Sequence, residues 1–511
     1  MKLRSTLGWS ILALWVAVLG LHVKREYFRP ESERLEAGAR SLAPGSHFFV
    51  VRMNGRAIGT ATTRLDTLPD GFFFQDDLLL DVPAMDTVHR AATMSRLRLD
   101  RSLRMRSFVF RLESGIGRFA VDGTAMADST LEIAVQAGGS TQRSRIPMEG
   151  GVVLDGAVAM RLAAAGRLQP GTDVTVRTFD PSSLSARDVS VRVTATDTLI
   201  LPDSAAVREG GRWEATVWDT IPVWRVEQKF GGISLASWVD EDGLLVRAES
   251  PLGFDVERTT YELARQEWVD ARGDTSLVSG YGALIEGTAI SSNVDLSKVE
   301  SAQTLRVRLG GVELDGFDLS GGRQALHGDT LVVTREDPAS YAVAGYTLPY
   351  AGGGEAGAEL EATPLIQAGD PRIREKAEEV VQRTKDPSVA ALRLSEWIYA
   401  TLRKEITPSI PSAIQVLDAL RGDCNEHTVL YVAMARSIGL PARTAVGLVS
   451  VRGRFYYHAW PEVWLAGKWV AFDPTLGQNP ADASHLRFLV GGLARQVELI
   501  RLIGRLEIEG Q

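Results

Sequence analysis

Gly422-Asp423-Cys424-Asn425-Glu426-His427 decides how the rest of this sequence is read, because it holds the only cysteine among 511 residues. Just after it, Leu430, Ala433, Met434 and Ile438 recur at the spacing of one helix face, and Gly439 followed by Pro441 marks a stop. Cys424 therefore falls in or beside the first turn of a predicted helix. Unsatisfied N–H groups and the positive dipole end favour a thiolate there, so the thiol is expected below its ordinary value of about 8.5. A lone cysteine is by default a small buried hydrophobe, and the case for chemistry has to come from its neighbours.

Those neighbours lie downstream, where the pattern turns to strands. Ala442 to Val451 is apolar on both faces, as a central strand would be. Phe455 to Leu465 and Lys468 to Asp473 flank Ala466-Gly467, a two-residue hairpin loop. Pairing across that loop sets Leu465 against Lys468, Trp464 against Trp469, Glu462 against Ala471 and Trp460 against Asp473. His458 is then diagonal to Asp473. Diagonal neighbours come within roughly 7–8 Å at the backbone, a gap that side chains can bridge. A Cys, a His and an Asp so arranged can act as nucleophile, base and orienter. Trp460 is expected to wall such a site. Glu426 and His427, in the first turn after the thiol, are further substrate-binding candidates, with helix capping or a surface role as the competing reading. His485 has no evident partner. A metal site built from His427, His458 and Asp473 lacks the spacing of zinc sites, and neither metal nor cofactor is expected.

Upstream of the cysteine the chain reads as helix back to Asp370-Pro371. Ile373, Ala377, Val380 and Val381 form one stripe. Asp386-Pro387 opens a second helix, with Ala391, Leu394, Trp397, Ile398 and Leu402 along its apolar face. Ser412 to Leu417 is a short helical turn. Tyr350 to Ala358 is small and patternless, the composition of a linker.

From His47 to Pro349 the sequence reads as strands. Phe48 to Val51 and the turn Asn54-Gly55 suggest a first hairpin. Val223–Val226, Ser234–Val239 and Leu244–Ala248 suggest a meander turned by Asp240-Glu241-Asp242-Gly243. Arg96, Arg98, Arg101, Arg104 and Arg106 nearly alternate, as on the wet face of strands. No phosphate loop, dinucleotide turn or Gly-x-Ser-x-Gly elbow occurs.

Hydrophobic residues make up 45% and charged residues 23%, an ordinary globular composition. The net charge of −8 leaves no basic surplus for a nucleic-acid partner. At the N-terminus, Lys2 and Arg4 precede an uncharged run from Ser5 to Val23, just long enough to cross a bilayer of about 30 Å. The small-residue pattern of a cleavage site is poorly formed, so an uncleaved anchor is expected over a removed signal peptide.

Four blocks together resemble the transglutaminase-like superfamily, a branch of the papain-like thiol enzymes: Gly422 to His427, Gly439-Leu440-Pro441-Ala442-Arg443, Tyr457-His458-Ala459-Trp460 with Glu462-Val463, and Asp473-Pro474-Thr475. The resemblance covers about residues 370–490 and is closest to bacterial membrane-anchored members with a long β-rich region. It implies a Cys-bearing helix packed on a sheet that carries the His and the Asp, with Cys424 as nucleophile, His458 as base and Asp473 as orienter. It also implies acyl transfer or hydrolysis at amide bonds of a protein or peptide, through a Cys thioester. The tryptophan that supplies an oxyanion donor in animal transglutaminases has no matching position.

The resulting expectation is an α+β multidomain chain: a transmembrane helix at 1–25, β-rich regions (sandwich or curved sheet) at 26–195 and 196–355, and a transglutaminase-like domain at 356–511. The chain is expected at the inner membrane, single-pass, with its bulk on the periplasmic side. The alternative is a catalytically idle, membrane-tethered binding or scaffold protein.

Overall fold

The computed structural model describes residues 31–511, except 85–86, 149–152, 231–232, 251–252, 273–289, 291, 295–298, 406–408, 452, 503–504 and 511. Fourteen strands between Gly45 and Thr259 form one antiparallel sheet. It consists of two meanders joined where the first strand, Gly45–Met53, pairs with the last, Phe254–Thr259. The first hairpin turns on Asn54 and Gly55, both at positive φ (51° and 78°), the backbone that an Asn-Gly pair adopts most readily. Alternation then decides the faces. Along Thr130–Ala137, Leu131, Ile133, Val135 and Ala137 are buried while Glu132 and Gln136 point outward. The five arginines from Arg96 to Arg106 are all exposed, as their near-alternation predicted.

The helical turn Asp155–Ala157 and helix Val158–Ala164 pack against this sheet. Ala157, Val158, Met160 and Leu162 share a core with Phe72, Phe74, Phe108, Val121, Val191 and Val226. Helix Glu31–Ala39 lies against Val158–Ala164, so close that a Cβ on Gly38 would sit 1.9 Å from the Ala164 carbonyl oxygen.

The expected fold class needs correction. Strands dominate the described chain, and those from Gly45 to Thr259 form one sheet rather than two regions. The division expected at 195/196 falls inside strand Ser185–Val207, which pairs without a break in the chain against Trp213–Phe230. The expected membrane span at 1–25 lies outside the described residues. Among the described residues no helix is long and apolar enough to cross a membrane, and the transmembrane helix is withdrawn from the fold class. The longest described helix, Pro387–Thr401, has 15 residues and reaches only about 22 Å against a hydrocarbon core of about 30 Å.

The expected linker is also structured. Gly354–Ala358 is a helical turn with Ala356 buried, and Arg443 and the Trp469 Nε1–H both reach the Glu355 carboxylate. Packing does not part at 355/356. Thr304–Gly310, Gln324–His327 and Thr330–Thr334 form a sheet completed by Glu507–Gly510. Val307, Leu331 and Val333 share one core with Val446, Phe455 and Phe488.

That core covers one side of a second four-stranded sheet, ordered Lys468–Ala471, Arg454–Leu465, Ala442–Val451, Leu486–Val490. Helices Pro371–Val380, Pro387–Thr401, Ala413–Ala419 and Cys424–Ser437 contribute Ile373, Leu394, Ile414, Leu430 and Met434 to another core with Val463, Val470 and Phe472. Asp370 and Asp386 cap the first two helices, each with proline at the start.

Because Leu331 is fully buried in the core shared with Val446 and Phe455, Leu331→Ala should destabilise the C-terminal unit by roughly 2–5 kcal/mol. Denaturant titration followed by tryptophan fluorescence checks this. A separate transition for residues ahead of 355, with the rest unmoved, would restore the expected boundary.

Candidate active site

The cysteine helix starts as a capping box. Asp423 is the N-cap, its Oδ1 accepting from the Asn425 N–H at 2.8 Å, while Glu426 Oε2 accepts from the Asp423 N–H at 2.9 Å. Ser409 Oγ donates to the other Glu426 oxygen at 2.5 Å. Gly422 makes room for this fold-back, since a Cβ there would lie 2.3 Å from the Glu426 side chain. Cys424 follows as the first helical residue, half-buried.

The helix start does not lower this thiol. Burial pushes the Cys424 thiol well above its ordinary range, and the adjacent Asp423 pushes the same way; the Ala459 backbone N–H opposes them by bonding the sulfur. Burial is the main reason the sequence expectation reverses, and the cap adds to it by bringing Asp423 and Glu426 beside a sulfur that would have to become an anion.

Cys424 packs against the core that contains Ala459, the residue after His458, and its helix lies against the strand that carries them. His458 Nε2 lies 2.8 Å from Asp473 Oδ2, and both side chains are buried. The hairpin has the expected register, with Glu462 opposite Ala471, Trp464 opposite Trp469 and Leu465 opposite Lys468. The ladder ends at Ala471, and Asp473 turns into a loop where its Oδ1 accepts from the Thr475 and Leu476 N–H groups at 2.7 and 2.9 Å. Burial would raise the Asp473 carboxyl, but the charges and hydrogen bonds of His458 and His485 outweigh it and hold it well below the usual carboxylate range.

His485, for which the sequence offered no partner, is the missing member. It is fully buried, with Nε2 3.0 Å from Asp473 Oδ2 and Nδ1 3.1 Å from Asp482 Oδ1. Burial favours the neutral ring, yet Asp473 and Asp482 together raise it above its ordinary value. The local signal was Asp482-Ala483-Ser484-His485, in which the Ser484 N–H and Oγ–H both bond Asp482 Oδ1 (2.8 and 2.6 Å) and fix the turn.

Trp460, His427 and Glu426 are 0%, 0% and 1% exposed. Trp460 backs the imidazoles, near-parallel to His458 at 6.2 Å and edge-on to His485 at 5.1 Å. His427 Nδ1 bonds the Asp423 carbonyl at 2.7 Å, and Glu426 is spent on the cap. Burial lowers His427, which keeps it neutral. The His427, His458 and Asp473 grouping does not form. The close trio is instead His458, Asp473 and His485, with ligand atoms within 4.8 Å of one another and hydrogen-bonded through Asp473. On the open side, Asn425 and Tyr457 keep partial exposure, with Tyr457 Oη 3.3 Å from Asn425 Oδ1 and 2.9 Å from Gln496 Oε1.

Behind the His458 strand, Glu462 is buried between two arginines. Arg443 Nε donates to it at 2.8 Å and Arg487 Nη1 at 3.0 Å. Burial alone would raise this carboxyl, but Arg487 and Arg443 hold it low. Glu462→Gln should cost roughly 3–5 kcal/mol, because two buried cations lose their counter-charge; chemical denaturation measures it. A second expectation concerns pH. His485 is raised in the fold, so its contribution is complete below the unfolded value of about 6.5 and fades as pH rises through the folded value. Asp473 and Asp482 are depressed, so theirs is present above about 3.9 and fades as pH falls through the folded values. Melting curves of wild type and His485→Gln across pH should therefore converge on the alkaline side.

Residues 374–474 match the family model described as the transglutaminase-like superfamily. A comparison with curated proteins returned no match. Among solved structures, a candidate cysteine protease from Cytophaga hutchinsonii aligns at 15% identity over 41% of this chain and 84% of its own, with a TM-score of 0.26. A DUF1089-family protein from Pseudomonas aeruginosa aligns at 17% identity over 38% of this chain and 91% of its own, with a TM-score of 0.24. Such low scores establish no shared overall fold. The family match spans Cys424, His458 and Asp473 and ends before His485, and it makes residues 374–474 a transglutaminase-like domain.

Proposed function

We propose that this chain is a thiol enzyme that opens amide bonds of proteins or peptides through a thioester on Cys424. The observation that carries the reading is the buried Asp473–His458 hydrogen bond on the strand against which the Cys424 helix packs. Asp473 bonds His458 Nε2, which leaves Nδ1 as the basic nitrogen. His458 takes the thiol proton, and the sulfur attacks the amide carbonyl. The same proton then passes to the departing amine as the C–N bond breaks and the thioester remains. Water, deprotonated by His458, attacks the thioester, restores the thiol and releases a carboxylic acid. An amine in place of water gives transfer. Hydrolysis is the favoured outcome because water needs no second binding site.

Burial supports the same order of events. A lone thiolate is disfavoured at Cys424, whereas moving its proton to His458 creates a pair of opposite charges in place of an isolated anion. The Cys424 backbone N–H, in the first turn of its helix, is one donor for the developing oxyanion.

The same burial favours a second reading, in which the thiol is inert and the chain is a binding or scaffold protein. Iodoacetamide labelling and mass spectrometry of trapped acyl groups separate the two. The enzyme reading expects an acyl adduct on Cys424 from a peptide mixture, its loss in Cys424→Ser, and labelling near neutral pH slowed at least about tenfold by His458→Ala. Labelling indifferent to His458→Ala, together with no adduct from any peptide, would sink it. Oxygen-18 water against an added primary amine then decides hydrolysis or transfer.

A further inference from the structure

We propose that His485 is a positioning residue: an imidazolium clamped between Asp473 and Asp482 that orients the Asp473 carboxylate toward His458. This rests on the reading of Cys424, His458 and Asp473 as the reactive centre.

Hydrogen-bond accounting carries the inference. Both ring nitrogens of His485 face carboxylate oxygens, at 3.0 Å on Asp473 and 3.1 Å on Asp482. An ionised carboxylate only accepts, so each nitrogen must carry a proton. Asp473 has no free position for a proton of its own. Asp473 Oδ1 takes two backbone N–H groups, and its Oδ2 takes His458 and His485. Asp482 Oδ1 takes the Ser484 N–H and hydroxyl besides His485, and its Oδ2 takes the Gln478 amide at 3.0 Å.

Charge supplies the purpose. Two buried carboxylates without a cation would leave two negative charges near a sulfur that must itself become an anion. One imidazolium reduces that to a single charge in every step. His485 also shares Oδ2 with His458, so it fixes the oxygen on which the base is oriented. Trp460 holds both rings, stacked on one and edge-on to the other. Among the described residues, the titratable groups facing His485 are Asp473, Asp482 and His458. Asp482 and His485 lie past the matched segment, which ends at residue 474.

Nitrogen-15 NMR of the full chain, with histidine resonances assigned by substitution, tests the charge directly. At about pH 8, above the ordinary histidine value of about 6.5, both His485 nitrogens should still be protonated. His485→Gln keeps one donor and removes the cation. Labelling of Cys424 near neutral pH should then slow by roughly tenfold, because the carboxylate that orients His458 is no longer clamped. Asp482→Asn, which removes one side of the clamp, should slow labelling by a smaller factor. A neutral His485 in the wild-type protein overturns the proposal, whether or not the variants fold. So does a folded His485→Gln protein whose Cys424 labelling matches wild type across pH. Stoichiometric zinc binding that displaces the His485 Nε2 proton would overturn it in favour of a metal site. The NMR readouts need no turnover, so the clamp can stand while the enzyme reading fails, or fall while acyl adducts still form.

Discussion

A fully buried carboxylate holds this site together. Asp473 is closed off from the surface, and the fold surrounds it with two imidazoles and two backbone N–H groups. An unpaired buried carboxylate would neutralise itself rather than pay for burial. The site therefore depends on everything that brings those four donors to one point: the hairpin that carries His458, the loop that turns at Asp473, and the returning segment that delivers His485. Glu462 repeats the principle one layer behind, between Arg443 and Arg487.

Cys424 lives under opposing influences. Its helix start offers unsatisfied N–H groups, while burial and the capping carboxylates resist a negative sulfur. The balance disfavours a resting thiolate.

The large sheet is tied to this machinery rather than hung beside it. Gln415 Nε2 bonds the Arg118 carbonyl at 2.7 Å, Arg421 Nη2 the Gly115 carbonyl at 2.5 Å and Arg372 Nη2 the Gly138 carbonyl at 3.0 Å. The tips of two hairpins thus rest on the elements that lead into Cys424. Gly115 and Gly138 lie in the turns themselves, and Arg118 on the strand just after one of them.

What the sequence determined by itself was local. The Asp-Pro helix starts, the register across Ala466-Gly467, the reach from His458 to Asp473 and the transglutaminase-like blocks all depend on residues within a few turns of one another, and period and turn chemistry encode such relations directly. Tertiary structure decided the rest. The union of two meanders through Gly45–Met53 and Phe254–Thr259 joins residues about two hundred positions apart, and no local pattern names that partner. His485 was unreadable because its meaning lies in Asp473, Asp482 and Trp460, which meet only when strand Leu486–Val490 pairs with Ala442–Val451. The thiol's direction was misjudged for a related reason. A helix terminus can be read from sequence, but the loss of water around Cys424 cannot, because burial is a property of the whole packed fold.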